Sequence, residues 1–241
     1  MIRHFSFSLN FLKMSLLDLQ EIPRRTMTLF FLVDKSGSMQ GSKIASVNDA
    51  IRNIIPVLRD ISDTNPDAEI KIATLEFASD CQWMYGEPQS LGDFRWLDIR
   101  AEGWTAMGEA CLELNAKLSK HGFMKSPSGS YAPVVILLSD GAPTDDFHNG
   151  MTALNQNNWF KNAIRIAIAI GNDANYDVLR EFTGNPEAIY EANRKLNRAF
   201  AGSAAAMGCG VHLWDHHGYA PCDYDRQFKA VLYEAGCAIM G

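Results

Sequence analysis

Two periodicities alternate along the chain. Residues 28–33 (Thr-Leu-Phe-Phe-Leu-Val) are an almost unbroken apolar run, which predicts a central strand buried on both faces of a parallel sheet. Ile44, Val47, Ile51, Ile54, Ile55 and Leu58 then recur at helical spacing and predict a helix. Pro56 removes a backbone hydrogen bond from that helix and is expected to kink it near its end. Residues 70–77 read as a second strand with a short partner at 82–85. Met107, Ala110, Cys111, Leu114 and Leu118 mark another helix, expected to end near His121 and Gly122 with the glycine as a left-handed cap. Residues 127–130 are a loop by composition. Residues 133–139 and 163–170 are further buried strands, Tyr176, Leu179 and Phe182 mark a short helix, 188–190 an edge strand, and 193–206 a closing helix.

Strands alternating with helices in this way specify an α/β fold: a doubly wound, mostly parallel central sheet flanked by helices, in a Rossmann-like arrangement. From residue 207 the periodicity fades among Gly208, Gly210, Gly218 and Gly236. The expected organisation is therefore an N-terminal extension at 1–25, one domain at 26–206, and an unassigned C-terminal tail at 207–241.

Composition narrows the function. An apolar content of 47% with 21% charged residues is that of a globular protein, and a net charge of -6 without a basic run argues against a nucleic-acid partner. No apolar run approaches the ~20 residues that span a bilayer. Ser6, Ser8 and Asn10 interrupt the apolar N-terminus, which is unlike a signal peptide, and either Met1 or Met14 could start the chain. The five cysteines, odd in number and scattered, form no disulfide framework, so the expected compartment is the cytoplasm.

In open parallel sheets, sites form beyond the C-terminal ends of the strands. Past the first strand come Asp34, Ser36 and Ser38; past the strand at 133–139 comes Asp140; and Thr105 opens the helix between them. Two carboxylates with three hydroxyls are a poor catalytic set but a suitable cage for a hard cation, Mg²⁺ or Mn²⁺, with a coordination position left open. Gly37 is expected to let the loop turn tightly enough to aim both serines at one point. As a bland alternative, the same Asp and Ser residues could serve as turn and cap residues, and Thr105 as a helix N-cap.

Asp34-x-Ser36-x-Ser38, the downstream Thr105 and the Asp140 of Ser-Asp-Gly together resemble the metal-ion-dependent adhesion site of von Willebrand factor A (vWA) domains, over roughly residues 27–206. The run at 138–146 (Leu-Ser-Asp-Gly-Ala-Pro-Thr-Asp-Asp) further resembles the bacterial TerY-like branch, associated with tellurium resistance and stress operons. The resemblance implies a binding module without catalysis, in which the hydroxyls and carboxylates hold the ion and a partner protein supplies the last ligand from Asp or Glu. That partner could be a kinase or phosphatase of the same operon.

Other signals in the chain point elsewhere but do not fit. Gly37 to Lys43 follows a strand, but its spacing and Lys-Ser order do not fit a phosphate-binding P-loop. An aspartyl phosphatase needs a second carboxylate where Ser36 stands. A metal-dependent phosphohydrolase would need a base, for which His148 is the histidine nearest in sequence, and a scaffold with an empty site is the remaining alternative. Asp145 and Asp146 read as a solvated loop capping the next helix. Lys35 reads as a rim cation able to meet a partner's acid, and Trp104, unlike Trp83 and Trp96, as a flank of the binding surface. In the tail, Cys209, His212, His216, His217, Cys222 and Cys237 are zinc-type ligands, but they lack a paired-cysteine spacing.

Overall fold

A computed structural model describes residues 24–65 and 68–191. The expected closing helix at 193–206, the Cys/His tail and the extension up to residue 23 lie outside the described residues. Strand β1 (Arg25–Asp34) runs parallel to β2 (Ala68–Phe77) on one side and to β5 (Val134–Ser139) on the other. Parallel pairing continues from β5 to β6 (Ile164–Ala169) and β7 (Ile189–Glu191). Two short strands, β3 (Cys81–Trp83) and β4 (Gln89–Ser90), add antiparallel to β2. The order β3-β2-β1-β5-β6-β7 makes β1 and β5 the point where the winding reverses.

Alternation along β1 divides the core between the two faces of the sheet. Leu29, Phe31 and Val33 pack with Val47, Ile51, Ile54 and Leu58 of helix α1 (Ser42–Thr64). Phe30 and Leu32 face the opposite layer, built by α2 (Met107–Lys117), α3 (Phe147–Gln156), α4 (Asn158–Asn162) and α5 (Tyr176–Thr183). Among the described residues, no helix is long and apolar enough to cross a membrane.

Three expectations about local structure are corrected. Helix α1 continues eight residues past Pro56 to Thr64, because Pro56 lies on its exposed face, where the carbonyl left without a partner can turn to water. Helix α2 ends at Lys117, with Leu118 as its C-cap, rather than at Gly122. Gly122 instead lies where a Cβ would come 2.5 Å from the Lys117 carbonyl, so it permits a close return of the chain. The left-handed cap is used elsewhere, by Gly184 after α5 (φ 67°). Helices α3 and α4 lie between the strands at 133–139 and 163–170, where the apolar pattern predicts no helix.

Helices α2 and α3 approach each other closely at Gly150. A Cβ there would stand 2.5 Å from Gly108 O and 2.8 Å from Cys111 Cβ. Gly150→Ala is therefore expected to lower stability by about 1–3 kcal/mol through overpacking, despite the better helix propensity of alanine. Urea unfolding measures this, and an unchanged midpoint would show that the helices are free to separate.

Candidate metal site

Asp34 ends β1 and is fully buried. Its Oδ1 accepts the Ser36 N–H at 2.8 Å, and its Oδ2 accepts the Ser139 hydroxyl, which in turn accepts the Gly141 N–H at 2.7 Å. The Ser36 and Ser38 hydroxyls lie 3.0 Å apart, Ser36 buried and Ser38 exposed, so the cluster opens towards solvent at Ser38. Asp140 follows β5 and is buried; its Oδ2 meets Lys43 Nζ at 3.2 Å, while its Oδ1 is buried with no hydrogen-bond partner.

Backbone bonds hold the contributing loops together. Gly37 N–H donates to Gly103 O at 3.0 Å, which ties the serine loop to the segment carrying Thr105. Thr105 N–H donates to Thr144 Oγ1 at 3.0 Å, and Thr144 N–H donates back to Thr105 O at 2.9 Å, joining that segment to the loop after Asp140. Asn175 N–H donates to Asp140 O at 2.7 Å and brings in the loop after β6. The structure thus brings Asp34, Ser36, Ser38, Thr105 and Asp140 to one sheet edge, at the switch between β1 and β5.

Several roles differ from those expected. Gly37 opens the tight 3-10 turn Gly37–Met39, closed by Met39 N–H to Ser36 O at 2.9 Å, but without a positive φ, which falls at Gly41 (76°). Gly37 also permits close approach, since a Cβ would lie 3.2 Å from Gly103 O. Thr105 is not the N-cap of α2, because Ala106 holds that position. The exposed amides of α2 are taken by Asp145, whose Oδ1 and Oδ2 accept from Gly108 N at 2.9 Å and Glu109 N at 2.8 Å. Only Asp146 caps the helix that follows, accepting from Asn149 N. Lys35 is not on the rim. Its backbone continues the pairing of β1 with β2, so its side chain falls beside Glu76, 3.5 Å away, and both are largely buried at 12% and 14% exposure.

Trp83, Trp96 and Trp104 differ in their surroundings. Trp83 packs edge-on to Phe123 with centroids 4.9 Å apart, and Trp96 donates from Nε1 to Asn48 Oδ1. Trp104 is 72% exposed beside Thr105, its backbone N–H donating to Ser79 Oγ. His148 Nδ1 lies 3.1 Å from Glu181 Oε1, so the histidine a hydrolase would need is engaged with α5. Among the described residues, no group of three or more His, Cys, Asp and Glu side chains forms a metal cluster, so this edge relies on two carboxylates and its hydroxyls.

Electrostatically the site sets two buried carboxylates, Asp34 and Asp140, beside one cation, Lys43. Burial pushes the Asp34 carboxyl above the usual carboxylate range against the hydrogen bonds from Ser139 and Ser36, and the Asp140 charge adds to the rise. Burial opposes the charge on Lys43, but hydrogen bonds to Asp173 and Asp140 outweigh it and raise the lysine above its ordinary value. Sequence reasoning missed Lys43 and Asp173. The lysine falls in a run that resembles a P-loop only in part, and the aspartate lies far along the chain.

A model of the von Willebrand factor type A domain matches residues 28–200. The chain belongs to that family. As a vWA protein it is 29% identical over 191 residues to inter-alpha-trypsin inhibitor heavy chain 4 of Mus musculus, a match covering 71% of this chain but 19% of that protein. The chain therefore spans a small part of that relative's length. Among solved structures, the vWA fold matches proximal thread matrix protein 1 of the mussel byssus, with zinc occupying its MIDAS motif, at TM-score 0.50 and 18% identity, over 70% of this chain and 41% of that one. It also matches manganese-loaded TRAP of Plasmodium vivax at TM-score 0.50 and 21% identity, over 70% and 69% of the two chains. vWA domains commonly carry such a metal site and mediate protein interactions.

Proposed function

We propose that this vWA domain is a metal-dependent protein-interaction module in which Asp34, Ser36, Ser38, Thr105 and Asp140 hold Mg²⁺ or Mn²⁺. The observation that carries the reading is Asp140 Oδ1, a carboxylate oxygen buried without a partner beside a second buried carboxylate. Such an atom costs stability unless a cation or donor reaches it, and an all-oxygen donor set suits a hard divalent ion. Bound there, the ion would act as a Lewis acid towards a carboxylate. The chain's own residues do the rest: Asp34 and Asp140 balance its charge, Ser38 leaves the cluster open to solvent, and Trp104 stands exposed beside it as a contact for whatever carries the acid.

The partner is accordingly a protein that presents Asp or Glu, and the domain itself performs no catalysis. The likeness of residues 138–146 to the TerY-like branch supports a cytoplasmic role in a bacterial stress or tellurite-resistance system, beside a kinase or phosphatase of the same operon.

The test is affinity capture from the source cells with wild type and Asp34→Asn, each with Mg²⁺ or with EDTA. The partner should be retained by wild type with Mg²⁺ and lost under the other three conditions. Equal retention in all four would overturn the metal bridge. Turnover of a phosphate ester that disappears in Asp34→Asn would instead favour a metal-dependent hydrolase.

A further inference from the structure

Lys43 occupies an unusual place. It is the second residue of α1, where the helix dipole disfavours a cation, yet its side chain is only 20% exposed. Its ammonium lies between two carboxylates from different loops, 3.2 Å from Asp140 Oδ2 and 2.9 Å from Asp173 Oδ1. The chain keeps space for this arrangement at Gly171. That residue sits at φ 90°, and a Cβ on it would come 2.6 Å from both Lys43 Cε and Asp173 Oδ1. Asp140 thus has one oxygen engaged by the lysine and the other without a partner.

We infer that Lys43 is a built-in competitor of the divalent ion for Asp140, and that Asp173 holds the ammonium aside, so that the pair sets the metal affinity of the site. The inference rests on the metal reading above. With no ion bound, Lys43 neutralises Asp140 and stabilises the loops. With an ion bound, its charge opposes the ion's, and Asp173, 71% exposed and outside the proposed ligand set, is the carboxylate left to balance it. Lys43 and Asp173 are positioning residues, acting on the ion through Asp140.

The experiment is calorimetric titration of wild type, Lys43→Met, Asp173→Asn and the double variant with Mg²⁺ and Mn²⁺. It is paired with thermal unfolding in EDTA, and Lys43→Gln replaces the methionine variant if that one misfolds. Lys43→Met should bind the ions about tenfold more tightly and Asp173→Asn roughly threefold to tenfold more weakly. In EDTA, Lys43→Met should melt below wild type. In the double variant the Asp173 effect should vanish, because the aspartate acts only through the lysine.

If wild type binds metal and Lys43→Met binds it no more tightly, the inference falls and the metal reading stands. If the Asp173 effect survives in the double variant, the coupling is overturned. Binding by Lys43→Met but not by wild type would support the competition while overturning a metal-loaded wild type, and binding by neither would sink both.

Discussion

Asp34→Asn is expected to abolish divalent-ion binding while leaving the metal-free protein as stable as wild type, or more so. The asparagine keeps the shape of the side chain. Its Oδ1 can still accept the Ser36 N–H, and the Ser139 hydroxyl, with a second lone pair beyond the one taken by Gly141, can accept from the new amide. What disappears is a fully buried negative charge whose ionised form is already disfavoured by burial. In wild type, Mg²⁺ at a hundred times its dissociation constant should add about 2.7 kcal/mol to unfolding stability, and in Asp34→Asn it should add nothing measurable. Thermal unfolding with and without EDTA separates the two effects. A variant that keeps the full Mg²⁺-dependent rise would show that Asp34 does not hold the ion.

Phe30→Ala is expected to produce the largest loss of fold stability, about 3–5 kcal/mol. Phe30 is fully buried at the centre of β1, between β2 and β5, facing the layer of α2 and α3. Its ring packs edge-on to Trp83 and parallel to Phe123, with centroids 6.2 and 6.4 Å away. Removing it leaves a cavity among rigid strands and two aromatic rings that cannot collapse into it without leaving their own contacts. The melting temperature should fall by roughly 6–20 °C, given about 2–4 °C per kcal/mol for a domain of this size. Metal affinity in the folded fraction should change little, because the site lies at the end of β1 and Phe30 at its middle. A fall below about 1 kcal/mol would mean that the surrounding side chains refill the space.

Much of this architecture is legible from the order of residues because β1, β5 and β6 are buried on both faces. Continuous apolar runs such as 28–33 and 134–138 admit few other readings, and the polar residues that end them fall at the sheet edge. Asp34 and Asp140 could be placed for that reason. Contacts between loops distant in sequence were not legible. Lys43 meets Asp140 across 97 residues and Asp173 across 130, and no local pattern encodes that encounter. Asp145 shows the same limit, since its neighbours in sequence suggest a cap for the following helix, whereas its carboxylate reaches back to the amides of α2. Helix α1 shows the converse, where the helix runs on past a proline whose position faces water.

The loops around Asp34 and Asp140 are joined largely through peptide groups, by the bonds from Gly37 to Gly103, Thr144 to Thr105 and Asn175 to Asp140. A bond between peptide groups persists when a neighbouring side chain is replaced. The outward-facing residues of the same loops, Glu102 and Trp104 among them, can therefore be exchanged without moving the seat beneath them. The seat and the surface above it are therefore separable: one set of atoms fixes how the loops meet, while the other can be rewritten by a few changes.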